Sequence, residues 1–238
     1  MSSLNAISRL TVYYRRHGLA ATIRRARLAG KRALFAGRMV VFYCDLDERR
    51  LPQVNVPRAL SVERLAALTE LSAEDSQEIT RFWNPKLANR NIRERFEKGA
   101  SLWLVKSEDR LAGYGWALQG RTIEPHYFPL AQDDIHLFDF HVFPHYRGRG
   151  MNPYLIGHIL DDLATNCAGR AFIEAAEWND AQLSSLRKTP FRCLGSVRSF
   201  TVLGHTFVSW MRNDAVVHMH QGAKPTAQIP RTARSHEL

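Results

Sequence analysis

The chain has 238 residues, 45% hydrophobic and 24% charged, the balance of a soluble globular protein built as one sizeable core or as a domain of about 150 to 200 residues with appendages. No run of about 18 apolar residues occurs, which argues against a membrane-spanning helix. The three cysteines, Cys44, Cys167 and Cys193, lie far apart without CxxC spacing, which argues against a disulfide framework or a zinc site and for a reducing cytosol; no metal site is expected.

The net charge of +10 is concentrated at the start. Up to Cys44 there is no Asp or Glu, but nine basic residues from Arg9 to Arg38; the other 24 basic residues nearly balance the 23 acidic ones. In this leader Leu4, Ile7, Leu10 and Tyr14 follow helical spacing, Gly18 interrupts, and Leu19, Ile23, Ala26 and Leu34 roughly resume the stripe, so residues 1–37 read as a basic amphipathic helical extension. Such helices either pack on the main domain with their arginines in water, or lie on an anionic membrane surface, or bind nucleic acid or an acidic carrier protein, nucleic acid being the weakest of these. An acid-free, arginine-rich start also mimics a transit peptide, but its pattern runs on into the apolar MVVFYC stretch without a break.

From residue 38 the elements alternate. RMVVFYCDL reads as a strand; Ser72, three residues before Asp75, opens a helix; a second helix runs through NIRERFEKG and stops at Gly99. Residues 101–118 form two strands around a turn at Ser107 to Arg110. A loop rich in Pro, His and acids leads to the strand DIHLFDFHVF, fourth of the main strands, then to a helix carrying Leu155, Ile159, Leu160 and Leu163. The strand RAFIEAAEWN, the helix DAQLSSLRK and a hairpin turning at Gly204 and His205 follow, and residues 213–238 read as a flexible polar tail.

One junction carries chemistry. The strand ending at Val142 feeds a turn containing Arg147, Gly148, Arg149 and Gly150 and then a helix, so free backbone N–H groups, the positive end of a helix dipole and two guanidinium groups meet. Phosphates bind at such junctions. The dinucleotide fingerprint GxGxxG and the Walker pattern are both absent.

The order of elements and this loop resemble the GCN5-related N-acetyltransferase (GNAT) superfamily, whose acyl-CoA pyrophosphate sits on a [Q/R]xxGxG/A loop. Arg147 to Met151 fit its first five positions, and Asn152 departs at the sixth. VFPHYRGRG looks like the family's VxPxYRGxG entry, and NDAQLSSLRKTPF resembles its NxxAxxxYxKxGF stretch, with Asn179, Lys188 and Phe191 in register, Leu186 in place of the tyrosine often credited as general acid and Pro190 in place of glycine. The likeness spans roughly residues 40 to 212. It implies an α/β (α+β) fold: a mixed, mostly antiparallel GNAT-like sheet flanked by helices, occupying residues 38–212.

The resemblance also implies roles. Main-chain groups near Phe140 and Val142 would bind the pantetheine arm as an added strand, Arg147, Gly148, Arg149, Gly150, Met151 and Asn152 would hold pyrophosphate, and Asn179 would lie beside the arm, with acetyl-CoA or another acyl-CoA as co-substrate. A backbone N–H where the sheet splays would polarise the thioester carbonyl. Direct attack needs an unprotonated amine and therefore a base. The family commonly places a Glu or His eleven residues before the loop motif, and here that residue is His136; an imidazole ordinarily titrates near 6.5. Asp139 and His141 are second choices, because a bulge in the strand would change which side chains face the acceptor. Glu174 and Glu177 would orient a cationic substrate or act through water, and Trp103, Trp116, Tyr127 and Phe128 would line an acceptor pocket or belong to the core. The implied activity is N-acyl transfer to a small-molecule amine or an amino-sugar intermediate. The alternatives are a noncatalytic acyl-CoA-binding or adaptor module and a protein acetyltransferase.

Overall fold

The computed structural model describes residues 37–46, 60–81, 84–123, 130–166, 169–202, 205–211 and 216–220, with shorter helical stretches at 14–15, 18–23, 26–27 and 30. In chain order β1 (Arg38–Asp45) and β2 (Leu60–Leu65) precede α1 (Ala73–Thr80) and α2 (Pro85–Glu97). The hairpin β3 (Ser101–Ser107) and β4 (Arg110–Gln119) leads to β5 (Ile135–Val142), α3 (Met151–Asn166), β6 (Arg170–Ala176) and α4 (Asp180–Leu186), and β7 (Arg192–Val202), β8 (His205–Met211) and β9 (Val216–His220) complete the order. One sheet contains all nine strands, in the order β2-β3-β4-β5-β6-β1-β7-β8-β9. Every neighbouring pair is antiparallel except β5 and β6, which run parallel with α3 as their crossover.

The expected mixed, mostly antiparallel sheet with flanking helices is therefore present, with three revisions. Leu60–Leu65 is a strand that the sequence reading passed over, so the strand before the glycine loop is the fifth and not the fourth. It is an edge strand, LSVERL, whose exposed polar positions leave only a weak apolar face to read. Helix α2 starts at Pro85, six residues before the expected start at Asn91, because the Asn84 side chain accepts from the backbone N–H of Lys86 and Leu87 and Pro85 supplies a preset first turn. Within the segment read as a tail, Val216–His220 pairs with β8. The remainder of the tail, most of the leader, Cys167, Tyr127, Phe128, Leu34 and Gly204 lie outside the described residues.

Local chemistry explains the other boundaries. Ser72 accepts a hydrogen bond from the Asp75 backbone N–H and donates to the Asp75 carboxylate, capping α1 as expected. The β3–β4 turn places Glu108 and Asp109 at φ of +50° and +62°, a left-handed pair that joins two strands without splaying them.

The helices cover the sheet from two sides. Leu155, Ile156, Ile159 and Leu160 of α3 pack with Ile135 and Leu137 of β5 and Trp103 of β3. Ile79 and Ile92 of α1 and α2 pack instead with Leu102, Trp116 and Phe138. Burying such a side chain contributes about 1.5 to 3 kcal/mol relative to leaving it in water, so these layers hold β4, β5 and the ends of α2 and α3 in fixed relation. The site is built from those four elements and β6.

Candidate active site

Strands β5 and β6 part company early. Their parallel ladder registers Ile135 with Ala171, His136 with Phe172 and Leu137 with Ile173, and then stops. Beyond Leu137, Phe138, His141 and Val142 of β5 keep partners on β4, and no residue of the stretch to Val142 is registered with β6. A half-paired strand in the middle of a sheet is a template for one more extended chain. This is where Phe140 and Val142 were expected to offer main-chain groups.

A bulge accompanies the split. The β4–β5 register shifts between Tyr114 and Trp116, and Asp139 takes φ of +51°, in the left-handed region that a non-glycine residue adopts only when its surroundings impose it. Gly115 permits this: a Cβ there would lie 2.5 to 2.8 Å from three carbons of the Phe140 ring.

Beyond Val142 the chain turns through Gly148 and Gly150, at φ of +77° and +76°, into the first turn of α3. A Cβ at either glycine would meet nothing within 4 Å, so their role is backbone conformation and open access. Tyr154 N–H makes the first helical bond, to Gly150 O; ahead of it the first-turn amides have no intrahelical acceptor, and Pro153 supplies none to satisfy. Arg147 is pinned at the end of β5, its Nε–H donating to Val142 O at 2.9 Å. This open, cationic, amide-lined turn fits a diphosphate by its own donor set. Asn152, the residue that departs from the family loop, turns its Nδ2 to Ser185 Oγ at 2.9 Å and so ties α3 to α4.

The acid–base candidates form two separate pairs. His136 is 1% exposed, and its Nε2 lies 2.8 Å from Glu174 Oε2; a carboxylate only accepts, so the imidazole N–H donates. Asp139 instead binds Arg95 Nη1 at 2.6 Å. Phe138 touches both pairs, stacked on the His136 ring at 5.1 Å and lying under the Arg95 guanidinium at 5.3 Å. Glu174 stands one residue past the last registered β5–β6 pair, at the mouth of the split, whereas His136 lies behind it in the paired region. His141 stacks on Tyr114; burial, and then the nearby Arg147 charge, hold its imidazole below the usual range, with Asp139 opposing them.

A cavity of about 230 Å³ opens on this face of the sheet between α2 and the bulge, lined by Asn91, Arg95, Tyr114, Trp116 and Asp139 among others. Trp116 thus joins both core and cavity, while Trp103 belongs to the core beneath α3. Arg95 and Tyr114 were missed by the sequence reading: Arg95 was one of several cations on a helix, and only the folded α2 sets it against β5. Asn179 accepts from Gln182 N–H as the cap of α4. Leu186 is fully buried, so that position offers no hydroxyl. Glu177 lies 4.0 Å from Arg38, away from the other candidates' partners. Among the described residues no cluster of His, Cys, Asp or Glu could hold a metal.

Solved structures with a similar backbone include a GNAT-family protein from Novosphingobium aromaticivorans (TM-score 0.45, 15% identity) and an acetyltransferase from the GNAT family of Colwellia psychrerythraea (TM-score 0.48, 11% identity). The first match covers 67% of this chain and 61% of that one, the second 66% and 53%, so this chain spans little more than half the length of either. A tandem GNAT protein from the clavulanic acid biosynthesis pathway matches at a TM-score of 0.46 and 14% identity, over 66% of this chain and 50% of that one. No curated protein sequence matches this chain. The sequence model of the acetyltransferase (GNAT) family matches residues 65–188, slightly more than half of the chain, from the last residue of β2 to just past the end of α4. The chain belongs to the GNAT acetyltransferase family.

Proposed function

We propose that the protein transfers an acetyl or other short acyl group from acyl-CoA to the amine of a small molecule. One observation carries this reading: the β5–β6 ladder stops at Leu137 and Ile173, and the half-paired strand runs directly into an open cationic turn at the N-terminus of a 16-residue helix. An extended arm along β5 and a diphosphate on the turn are the two halves of one nucleotide-linked thiol. When bound, acyl-CoA supplies an acyl group activated as a thioester. Arg147, Arg149 and the amides from Gly148 to Asn152 hold its diphosphate, and the exposed β5 main chain from Phe138 to Val142 aligns its arm.

The remaining work belongs to the two carboxylate pairs. Glu174, oriented by the buried His136, takes a proton from the acceptor's ammonium. The nitrogen then bonds to the acyl carbon as the C–S bond breaks, and its second surplus proton ends on the leaving sulfur. The products are an amide, a free thiol and one proton passed to solvent. A β5 backbone N–H at the split is the donor for the carbonyl oxygen. An amino-sugar acceptor is one member of this amine class.

The basic leader supports a second, separable proposal, attachment to an anionic membrane surface. In the helical stretches around residues 14–27, Tyr14, Leu19 and Ile23 are 47%, 62% and 49% exposed, so each leaves apolar surface open to solvent, while Thr22 is buried. Arg15 and Arg27 are exposed beside them. No helix among the described residues is long and apolar enough to cross a membrane.

The enzymatic reading is tested at Gly150. Gly150→Asp puts negative charge where the diphosphate is to bind, whereas Gly150→Asn keeps a residue that tolerates the left-handed region and adds no charge. Calorimetry should show coenzyme A affinity falling at least about tenfold further in the Asp variant than in the Asn variant. A folded Gly150→Asp protein with unchanged affinity would refute the placement.

A further inference from the structure

The cavity between α2 and the β5 bulge contains a charge pair of unusual construction. The Arg95 guanidinium lies flat over Trp116 at 5.1 Å and Phe138 at 5.3 Å, which fixes its plane. Among the described residues its hydrogen-bond partner is Asp139 alone, through Nη1, and its remaining N–H groups have no partner among those residues. Asp139 is held in a strained backbone conformation at φ of +51°. Arg95 is 19% exposed and Asp139 38% exposed, so both charges remain within reach of a molecule entering the cavity. One helical turn before Arg95, Asn91 presents a half-buried amide to the same space. Leu87, Ile92, Tyr114 and Trp116 add apolar wall, with Asn84 a further polar group at its edge.

We infer that this cavity selects an acceptor carrying both an amine and a carboxylate, of the size and apolar character of a hydrophobic amino acid. The inference rests on the acyl-transfer reading and adds the substrate class to it. Charge balance across the partly exposed Arg95–Asp139 pair is the reason. A monoamine that pairs with Asp139 draws the carboxylate away from Arg95 and leaves a guanidinium uncompensated; a simple anion does the reverse to Asp139. A zwitterion replaces both halves of the pair at once, its carboxylate taking the planar donor fork of Arg95 and its ammonium taking Asp139. The ammonium is then delivered to the bulge, next to the mouth of the β5–β6 split where Glu174 stands. The volume of about 230 Å³ lies below the ~300 to 1,000 Å³ usual for drug-sized ligands, which favours a compact acceptor over a nucleotide sugar or a folded protein surface.

The test is a panel of acceptors with acetyl-CoA and the full chain: L-leucine and L-phenylalanine against isoamylamine, 2-phenylethylamine, L-phenylalaninamide and D-glucosamine, read as kcat/KM from thiol release and product mass. The amino acids should exceed their carboxylate-free counterparts by at least about tenfold, because a site built to bond a polar group rejects the analogue lacking it. Arg95→Gln should remove that preference mainly through KM, and Arg95→Lys should restore part of it, whereas loss of mere packing would slow every amine alike. Equal or faster rates with the carboxylate-free amines or with glucosamine overturn the inference, as does an Arg95→Gln protein of native melting temperature that keeps the preference. Calorimetry of L-phenylalanine and 2-phenylethylamine against the chain without acyl-CoA separates the two levels of the proposal. Selective binding of L-phenylalanine with no acylation of any amine by acetyl-CoA or propionyl-CoA upholds the pocket and refutes short-chain acyl transfer. Acylation without selectivity does the opposite.

Discussion

At the scale of single residues, the proposed reaction uses two ion pairs, His136–Glu174, the more buried, and Arg95–Asp139, the more exposed. His136 cannot meet an acceptor directly from its enclosed position, but its bond to Glu174 orients a carboxylate that stands at the split. Glu174→Gln should therefore lower kcat/KM by roughly 10² to 10⁴ with little change in melting temperature, since it keeps shape and removes the proton acceptor. His136→Ala should also lower it and flatten the same limb of the pH profile, with some loss of stability because a buried ring is removed. Wild-type rate and profile in a folded Glu174→Gln protein would pass the proton-acceptor role to Asp139 or to water. His136 was legible in the sequence from its distance to the loop. Glu174 was named from the sequence as well, but its pairing with His136 was not: the two are 38 residues apart, and the parallel β5–β6 register brings them together.

At the scale of elements, α3 has two functions that its sequence keeps apart along its length. Its first turn follows the Arg147–Gly150 loop, proposed to bind the diphosphate, and its later turns bury Leu155, Ile156, Ile159 and Leu160 against the sheet. Leu160 is fully buried, so Leu160→Ala should cost about 2 to 5 kcal/mol in denaturant unfolding. Coenzyme A affinity measured under native conditions should stay within about twofold, because removing distant core packing leaves the loop's donors unchanged. A large affinity loss together with the stability loss would mean that the helix N-terminus is positioned by the core far along the same helix. The β5 bulge is the second element that matters. It was anticipated only as an alternative, since an alternating run such as HLFDFHV gives no sign of where one extra residue is accommodated. Gly115 on the neighbouring strand decides that, by leaving room for the Phe140 ring.

At the scale of the whole molecule, the proposed membrane attachment of the basic leader is separable from the fold that follows it. If the leader is a membrane attachment, deletion of residues 1–36 should abolish sedimentation with phosphatidylserine vesicles. Moderate salt should weaken binding of the full chain, because exposed charges are screened over about 8 to 10 Å near physiological ionic strength. Coenzyme A affinity should survive the deletion, since the loop from Arg147 to Asn152 is held by β5 and α3. No vesicle binding by either form, with a lower melting temperature for the shorter chain, would mean that the leader caps the domain instead.

The sequence by itself determined the parts that depend on neighbours along the chain. Hydrophobic periodicity located most strands and helices, Ser72 and Asp75 announced the α1 cap, and the Arg–Gly stretch announced a strand, turn and helix around residues 142–160, because these features are written within one or two turns of backbone. Tertiary structure decided what depends on residues meeting across the sheet. It paired His136 with Glu174 and Arg95 with Asp139, assigned Trp103 to the core and Trp116 also to the cavity, and ended the β5–β6 ladder at Leu137. Each of these outcomes is fixed by strand order and register, and register is set by the packing of all layers together, which no local stretch of sequence specifies.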